Sequence, residues 1–146
     1  ALPICDIQLY ASTALAISNC KTFLEKWLKD LNDSQWKNGE YSVYAPKPYA
    51  REFEMGASGW GDAGMIIPYL LYMEYDSNEI WDFYPNMLKY MNWRFQRDPM
   101  LVGKEDIGKY GDWLGLVETS STLIDLCYHH YDCEIMDKLC EPKPRA

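Results

Sequence analysis

Residues 62–75 read DAGMIIPYLLYMEY, and no position from Ala63 to Tyr72 carries a charge. At helical pitch such a run is apolar on every face, so the helix it predicts has to be covered on all sides. Pro68 removes one backbone donor inside it and is expected to bend it. Amphipathic helices stand on either side. From residue 20, Cys20, Phe23, Leu24, Trp27, Leu28 and Leu31 recur at three- and four-residue spacing, which makes one apolar stripe. Asn19 is the expected N-cap of that helix. From Glu79 to Arg97, Ile80, Phe83, Tyr84, Met87, Met91 and Phe95 form a second stripe, ended by Asp98-Pro99. Further helices read from Asp6 to about Ile17 and from about Ser120 to Leu139. The expected fold class is therefore all-α, with five main helices.

The joints between them alternate. Breaks at 18–19 and 76–78 are tight, whereas 36–61 and 98–117 are long and carry Gly, Pro and aromatic residues. Antiparallel helices joined this way bring both long loops to one end, the usual place for a site on a rigid scaffold. Buried-type segments start near Asp6, Asp62 and residue 118, about 56 residues apart each time. That layout predicts helical hairpins, an inner helix followed by an outer one. At 146 residues the chain is expected to be a single domain, residues 1–146. Five helices make two and a half hairpins, and an open ring exposes apolar flanks that monomers avoid. The chain is thus expected to belong to a longer polypeptide or to assemble with copies of itself.

A formal net charge of −8 and the lack of a basic stripe argue against nucleic acid as a partner. The longest apolar stretch, Met65 to Met73, is too short to span a bilayer, so no membrane partner is expected. No basic segment followed by an apolar one reads as a signal peptide. The five cysteines, Cys5, Cys20, Cys127, Cys133 and Cys140, are odd in number and lack CxxC spacing. Reduced thiols and a cytoplasmic location are expected, with Cys133 and Cys140 buried on one helix face. The two histidines, His129 and His130, are adjacent and read as a solvated or core pair rather than a metal site. No metal and no cofactor are expected.

Aspartates carry the chemical interest. Residues 58–64 read SGWGDAG and 110–116 read YGDWLGL, so two loops pair Trp with Asp beside glycine. Asp6 and Asp62 begin inner helices, where an N-cap role explains either one equally well. Asp112 has no evident helix to cap. Aromatic faces stack on sugar C–H surfaces and carboxylates accept hydroxyl hydrogen bonds, so this pairing suits a neutral polyol. The loop glutamates Glu40, Glu52, Glu54 and Glu105 could serve hydrolysis, which needs two carboxyl groups across the scissile bond. Their contexts read as solvated loop charges.

The segments FLEKWLKDLNDSQWKNGEYSVYAP (23–46), GWGDAGMIIPYLLYMEYDSNEI (59–80) and YGDWLGL (110–116) resemble glycoside hydrolase family 78, the bacterial α-L-rhamnosidases. CDIQLYASTA (5–14) and SSTLIDLCYHHYD (120–132) resemble it too, in the same order. The resemblance implies the amino-terminal part of an (α/α)6-barrel catalytic domain that hydrolyses terminal α-L-rhamnose with inversion. In the family the general acid lies in an E-R-x-G-W-x-G-D-A-Q run, of which CDIQ matches only the tail, with Asp6 at the Asp and Cys5 in place of Gly. Both family glutamates are then expected outside residues 1–146, so no catalytic residue is assigned here and little or no hydrolysis is expected from the chain alone. The resemblance leaves a substrate-binding set of Asp6, Trp60, Asp62, Asp112 and Trp113, with a rhamnosyl glycoside as the carbohydrate partner. Two other readings stay open: a non-catalytic carbohydrate-binding or scaffold protein of the same fold, and an (α/α)-barrel hydrolase of another sugar.

Overall fold

A computed structural model describes residues 2–47, 56–104, 106–112, 115–117 and 119–140. Its helices are α1 (Ile4–Ile17), α2 (Lys21–Asp33), α3 (Ala63–Tyr75), α4 (Ile80–Arg97) and α5 (Ser121–Cys140). Two short strands, β1 (Leu2–Pro3) and β2 (Tyr44–Ala45), pair antiparallel with Leu2 opposite Ala45. The fold is all-α, and α3 is its centre: it packs against each of the other four helices. Every residue from Ala63 to Pro68 is buried, as is Leu71, while Tyr69, Leu70 and Tyr72 are half-buried, so the uncharged run is fully covered only over its first half. Among the described residues no helix is long and apolar enough to cross a membrane.

The outer helices lay their stripes on α3. From α2 come Leu24, Trp27, Leu28 and Leu31, and from α4 come Ile80, Phe83, Met87 and Met91, all buried. The first long loop then folds over the start of α3. Tyr41 is fully buried there, and its hydroxyl donates to Asn32 Oδ1 at 3.1 Å. Its ring lies so close to Gly64 that a Cβ at that position would come within 2.3 Å of it. Glycine at 64 is what lets loop and helix touch.

Several sequence expectations need correction. Cys20, not Asn19, occupies the N-cap position of α2, and it makes no side-chain capping bond. Phe23 is 54% exposed and Phe95 42% exposed, although both sit on their helices' apolar stripes. On α4 the buried face turns instead toward Tyr90, Trp93 and Arg94, because Tyr90 and Arg94 find buried acceptors described below. Cys133 is half-buried and Cys140 exposed at the last residue of α5, so these two do not form a buried thiol pair. Of the adjacent histidines, His129 is buried and His130 exposed.

Apolar surface remains open on both flanks. Ile7, Tyr10, Ala14 and Phe23 line a groove of about 330 Å³ between α1 and α2. On the other side Leu116, Val117, Leu123 and Leu126 are exposed.

Replacing Gly64 by Ala forces a methyl group into the Tyr41 ring. The expected loss is about 1–3 kcal/mol of unfolding free energy, measured by urea denaturation. An unchanged midpoint would show that the first loop is not seated on α3.

Candidate functional site

Three of the five expected site residues meet in one place. A cavity of about 230 Å³ at the long-loop end is lined by Asp6 and Leu9 of α1, by Ser58, Gly59 and Trp60, by Gly111 and Asp112, and by Ile124 and Tyr128 of α5. Asp6 lies in the first turn of α1 and is exposed. Trp60 is half-buried, and its ring stacks at a 48° tilt on Tyr110, with centroids 4.5 Å apart. Asp112 is exposed and also borders a polar depression of about 630 Å³ lined by Tyr110, Thr119 and Ser120. Trp113 lies outside the described residues, as do Glu52, Glu54 and Glu105. Glu40 turns back on its own loop, accepting from Asn38 Nδ2 at 3.1 Å.

Asp62 is placed differently from the others. It occupies the N-cap position of α3 yet makes no side-chain bond to the helix amides, and it is fully buried. Its Oδ2 accepts from the Gly59 N–H at 2.6 Å, and its Oδ1 accepts from the Tyr90 hydroxyl at 2.9 Å. The carboxylate thus faces back into the turn that carries Trp60. Gly59 has φ +79°, a conformation open to glycine at little cost, and it brings its N–H onto Asp62. Its carbonyl accepts from Gln8 Nε2 at 3.3 Å, and the same amide donates to the Tyr128 hydroxyl at 2.9 Å. Gln8 thereby ties α1, the Trp60 turn and α5 together.

Behind the cavity lies a dry polar cluster. Arg94, fully buried, meets Asp125 Oδ1 at 2.6 Å through Nη1, which also donates to Ser58 Oγ at 2.7 Å. Its Nη2 donates to the Asp125 carbonyl at 3.0 Å. Burial alone would lower the Arg94 pKa, but the neighbouring Tyr90, Asp62 and Asp125 raise it instead, so the guanidinium stays charged. Asp132 is fully buried against Asp62. Burial first, then the Asp62 charge, push its pKa well above the ordinary carboxylate value, so it holds a proton. His129 is pushed the other way, by burial and then by Arg94, and is neutral near pH 7.

Sequence reading missed Gln8, Tyr128, Ser58, Arg94, Asp125 and Asp132. The available signal was on α5, where Asp125, His129 and Asp132 recur at helical spacing on the face that also buries Ile135 and Leu139. A wider depression of about 830 Å³ surrounds Trp36, but it lacks the expected residues, and the Lys47 ammonium covers the Trp36 ring at 4.5 Å.

The chain as a whole resembles known proteins. Residues 4–143 match the family model of the bacterial alpha-L-rhamnosidase 6 hairpin glycosidase domain. An alpha-L-rhamnosidase of Streptomyces avermitilis is 30% identical over 136 residues, which cover 92% of this chain and 13% of that protein. Another, from Alteromonas sp., is 27% identical over 113 residues, 75% of this chain and 12% of that protein. The crystal structure of the Streptomyces avermitilis enzyme complexed with L-rhamnose superposes with a TM-score of 0.86, covering 93% of this chain and 13% of that one. The alpha-L-rhamnosidase from Dictyoglumus thermophilum superposes at 0.80 with 28% identity, covering 94% of this chain and 16% of that one. The chain thus spans about an eighth of the length of the curated relatives it matches.

The Asp62–Asp132 pair makes stability depend on pH. An unfolded Asp132 titrates near 3.8, whereas the folded one keeps its proton well above that. The folded state therefore binds more protons over that window, and this contribution to stability is full below pH 3.8 and is lost as pH rises through the folded pKa. Asp132→Asn keeps the side chain's shape and takes up no proton. It is expected to remove a slope of up to about 1.4 kcal/mol per pH unit, so the variant gains on the parent as pH rises from 4 to 8. Urea titrations across that range check it, and parallel curves would mean that Asp132 ionises normally.

Proposed function

The chain belongs to the bacterial α-L-rhamnosidase six-hairpin glycosidase family, and we propose that it forms part of the catalytic barrel of an α-L-rhamnosidase and supplies one wall of the sugar site. The carrying observation is the convergence of Asp6, Trp60 and Asp112, from three distant stretches, on one cavity. Rhamnose is a deoxy sugar with a methyl group and an otherwise hydroxylated ring. The Trp60 face, Leu9 and Ile124 suit its apolar side, while Asp6, Asp112 and the Tyr128 hydroxyl suit its hydroxyl groups. Asp62 contributes indirectly, by holding the Gly59 N–H, because its own carboxylate is fully buried. Trp113 joins this set on the resemblance of YGDWLGL alone.

Inverting hydrolysis places an acid and a base on opposite sides of the glycosidic bond. On the family resemblance the acid and the base are glutamates other than the residues that line this cavity, so this reading gives the chain the role of holding sugar and no cleavage of its own. The open flanks at Tyr10 and Phe23, and at Leu116, Leu123 and Leu126, suit cover by further helical hairpins of a closed ring. The same cavity residues suit a non-catalytic carbohydrate-binding derivative, which has to cover those flanks with copies of itself and so sediments as an oligomer. The unbridged Cys20, Cys127, Cys133 and Cys140 suit a reducing compartment such as the cytoplasm.

Purified chain incubated with p-nitrophenyl α-L-rhamnoside is expected to release no nitrophenol above the buffer rate. Turnover that disappears in Asp62→Asn would overturn the assignment of a wall without its catalysts.

A further inference from the structure

The two long loops meet at one carboxylate. Asp125 Oδ1 accepts from Ser58 Oγ at 2.5 Å in the first loop, and Asp125 Oδ2 accepts from the Lys104 N–H at 2.7 Å in the second. A backbone bond runs beside them, from Ser58 N–H to the Ile107 carbonyl at 2.9 Å. Arg94 fixes the carboxylate from α4 at 2.6 Å, and Asp125 and Arg94 are both fully buried. Trp60 follows Ser58 by two residues, and Asp112 follows Ile107 by five, so both arms of the cavity are rooted at this junction.

We propose that Asp125, clamped by Arg94, is a positioning residue that sets the spacing of the two long loops and so the width of the cavity between Trp60 and Asp112. This rests on the sugar-binding reading above for what that width is used for. Asp125 lines no part of the cavity, so it acts through the loops and not by touching sugar. A carboxylate suits the task because it offers two acceptors about 120° apart on one rigid group, one for each loop. An ionised acceptor also makes bonds roughly twice as strong as a neutral one, and burial shields them from water. The Trp60–Tyr110 ring contact is made across the same gap, with centroids 4.5 Å apart, so it reports the spacing directly.

The test uses isotope-labelled chain and three variants. Ser58→Ala removes the first-loop bond and leaves Arg94 and Asp125 in place. Asp125→Asn replaces one acceptor oxygen by a donor. Ser42→Ala is the control, a buried first-loop serine whose hydroxyl accepts locally, from the Tyr44 N–H at 3.3 Å. In Ser58→Ala and Asp125→Asn the Trp60 indole proton resonance is expected to shift as the Tyr110 ring moves. Exchange of the Gly108 and Gly111 amides should quicken by about tenfold, the scale of one lost bond. L-Rhamnose affinity should fall by a similar factor, about tenfold, in Asp125→Asn, whose side chain lines no part of the cavity, while Ser42→Ala changes none of the three. An unmoved Trp60 resonance with unchanged second-loop exchange in both folded variants would overturn the proposal. If Asp125→Asn fails to fold, Ser58→Ala decides alone. Should the parent chain bind no L-rhamnose, the sugar-binding reading fails, and the resonance and exchange measurements still decide this one.

Discussion

The guanidinium of Arg94 and the carboxylate of Asp125 meet at 2.6 Å with neither exposed to solvent. Removing one partner from such a pair costs about 3–5 kcal/mol, because it strands the other charge in a dry interior. Here the pair also carries the loops. Ser58 and Lys104 are bound to the same carboxylate, and the cavity walls grow from those two points. This one interaction thus joins α4, α5 and both long loops.

A second buried carboxylate works on the same turn from the other side. A helix N-terminus favours a negative charge through its unpaired amides. Asp62 has that location, yet it spends its oxygens on Gly59 and Tyr90 instead of the α3 amides. Its neighbour Asp132 stays protonated, because burial first and then the charge of Asp62 disfavour a second carboxylate there. Trp60 is thus held by Asp62 through Gly59, by Asp125 through Ser58, and by Gln8 through the Gly59 carbonyl. A platform gripped at three points loses little conformational freedom when a ligand arrives, which favours binding.

Helices were legible because their apolar spacing is strong. Each expected start lies within two residues of the observed one, and α3 could only be central given its uncharged run. The inward turn of α4 was not legible. Apolar periodicity counts Tyr90 and Arg94 against burial, and their acceptors lie 28 and 31 residues away, on α3 and α5. That competition also explains why Phe95 is left partly outside, packed on His129 at 5.2 Å. At the site, Asp6, Trp60 and Asp112 stood out because Trp beside Asp and glycine is an unusual local pattern. Gln8 and Tyr128 occupy ordinary helix positions, and nothing local marks which turns of α1 and α5 face each other. Asp62 was legible as a candidate position, but the direction of its carboxylate depended on partners that only the fold supplies.

Family membership and the convergence of three stretches on one cavity support a single account, in which this chain contributes a preformed sugar wall to a larger hydrolase. Titrating labelled chain with L-rhamnose while following backbone amides and indole protons tests it most directly. The account predicts perturbations that cluster at Asp6, Gly59, Trp60, Gly111, Asp112 and Tyr128, saturate together, and are not reproduced by D-glucose. Perturbations centred instead on the Trp36 depression, or equal responses to both sugars, would contradict it.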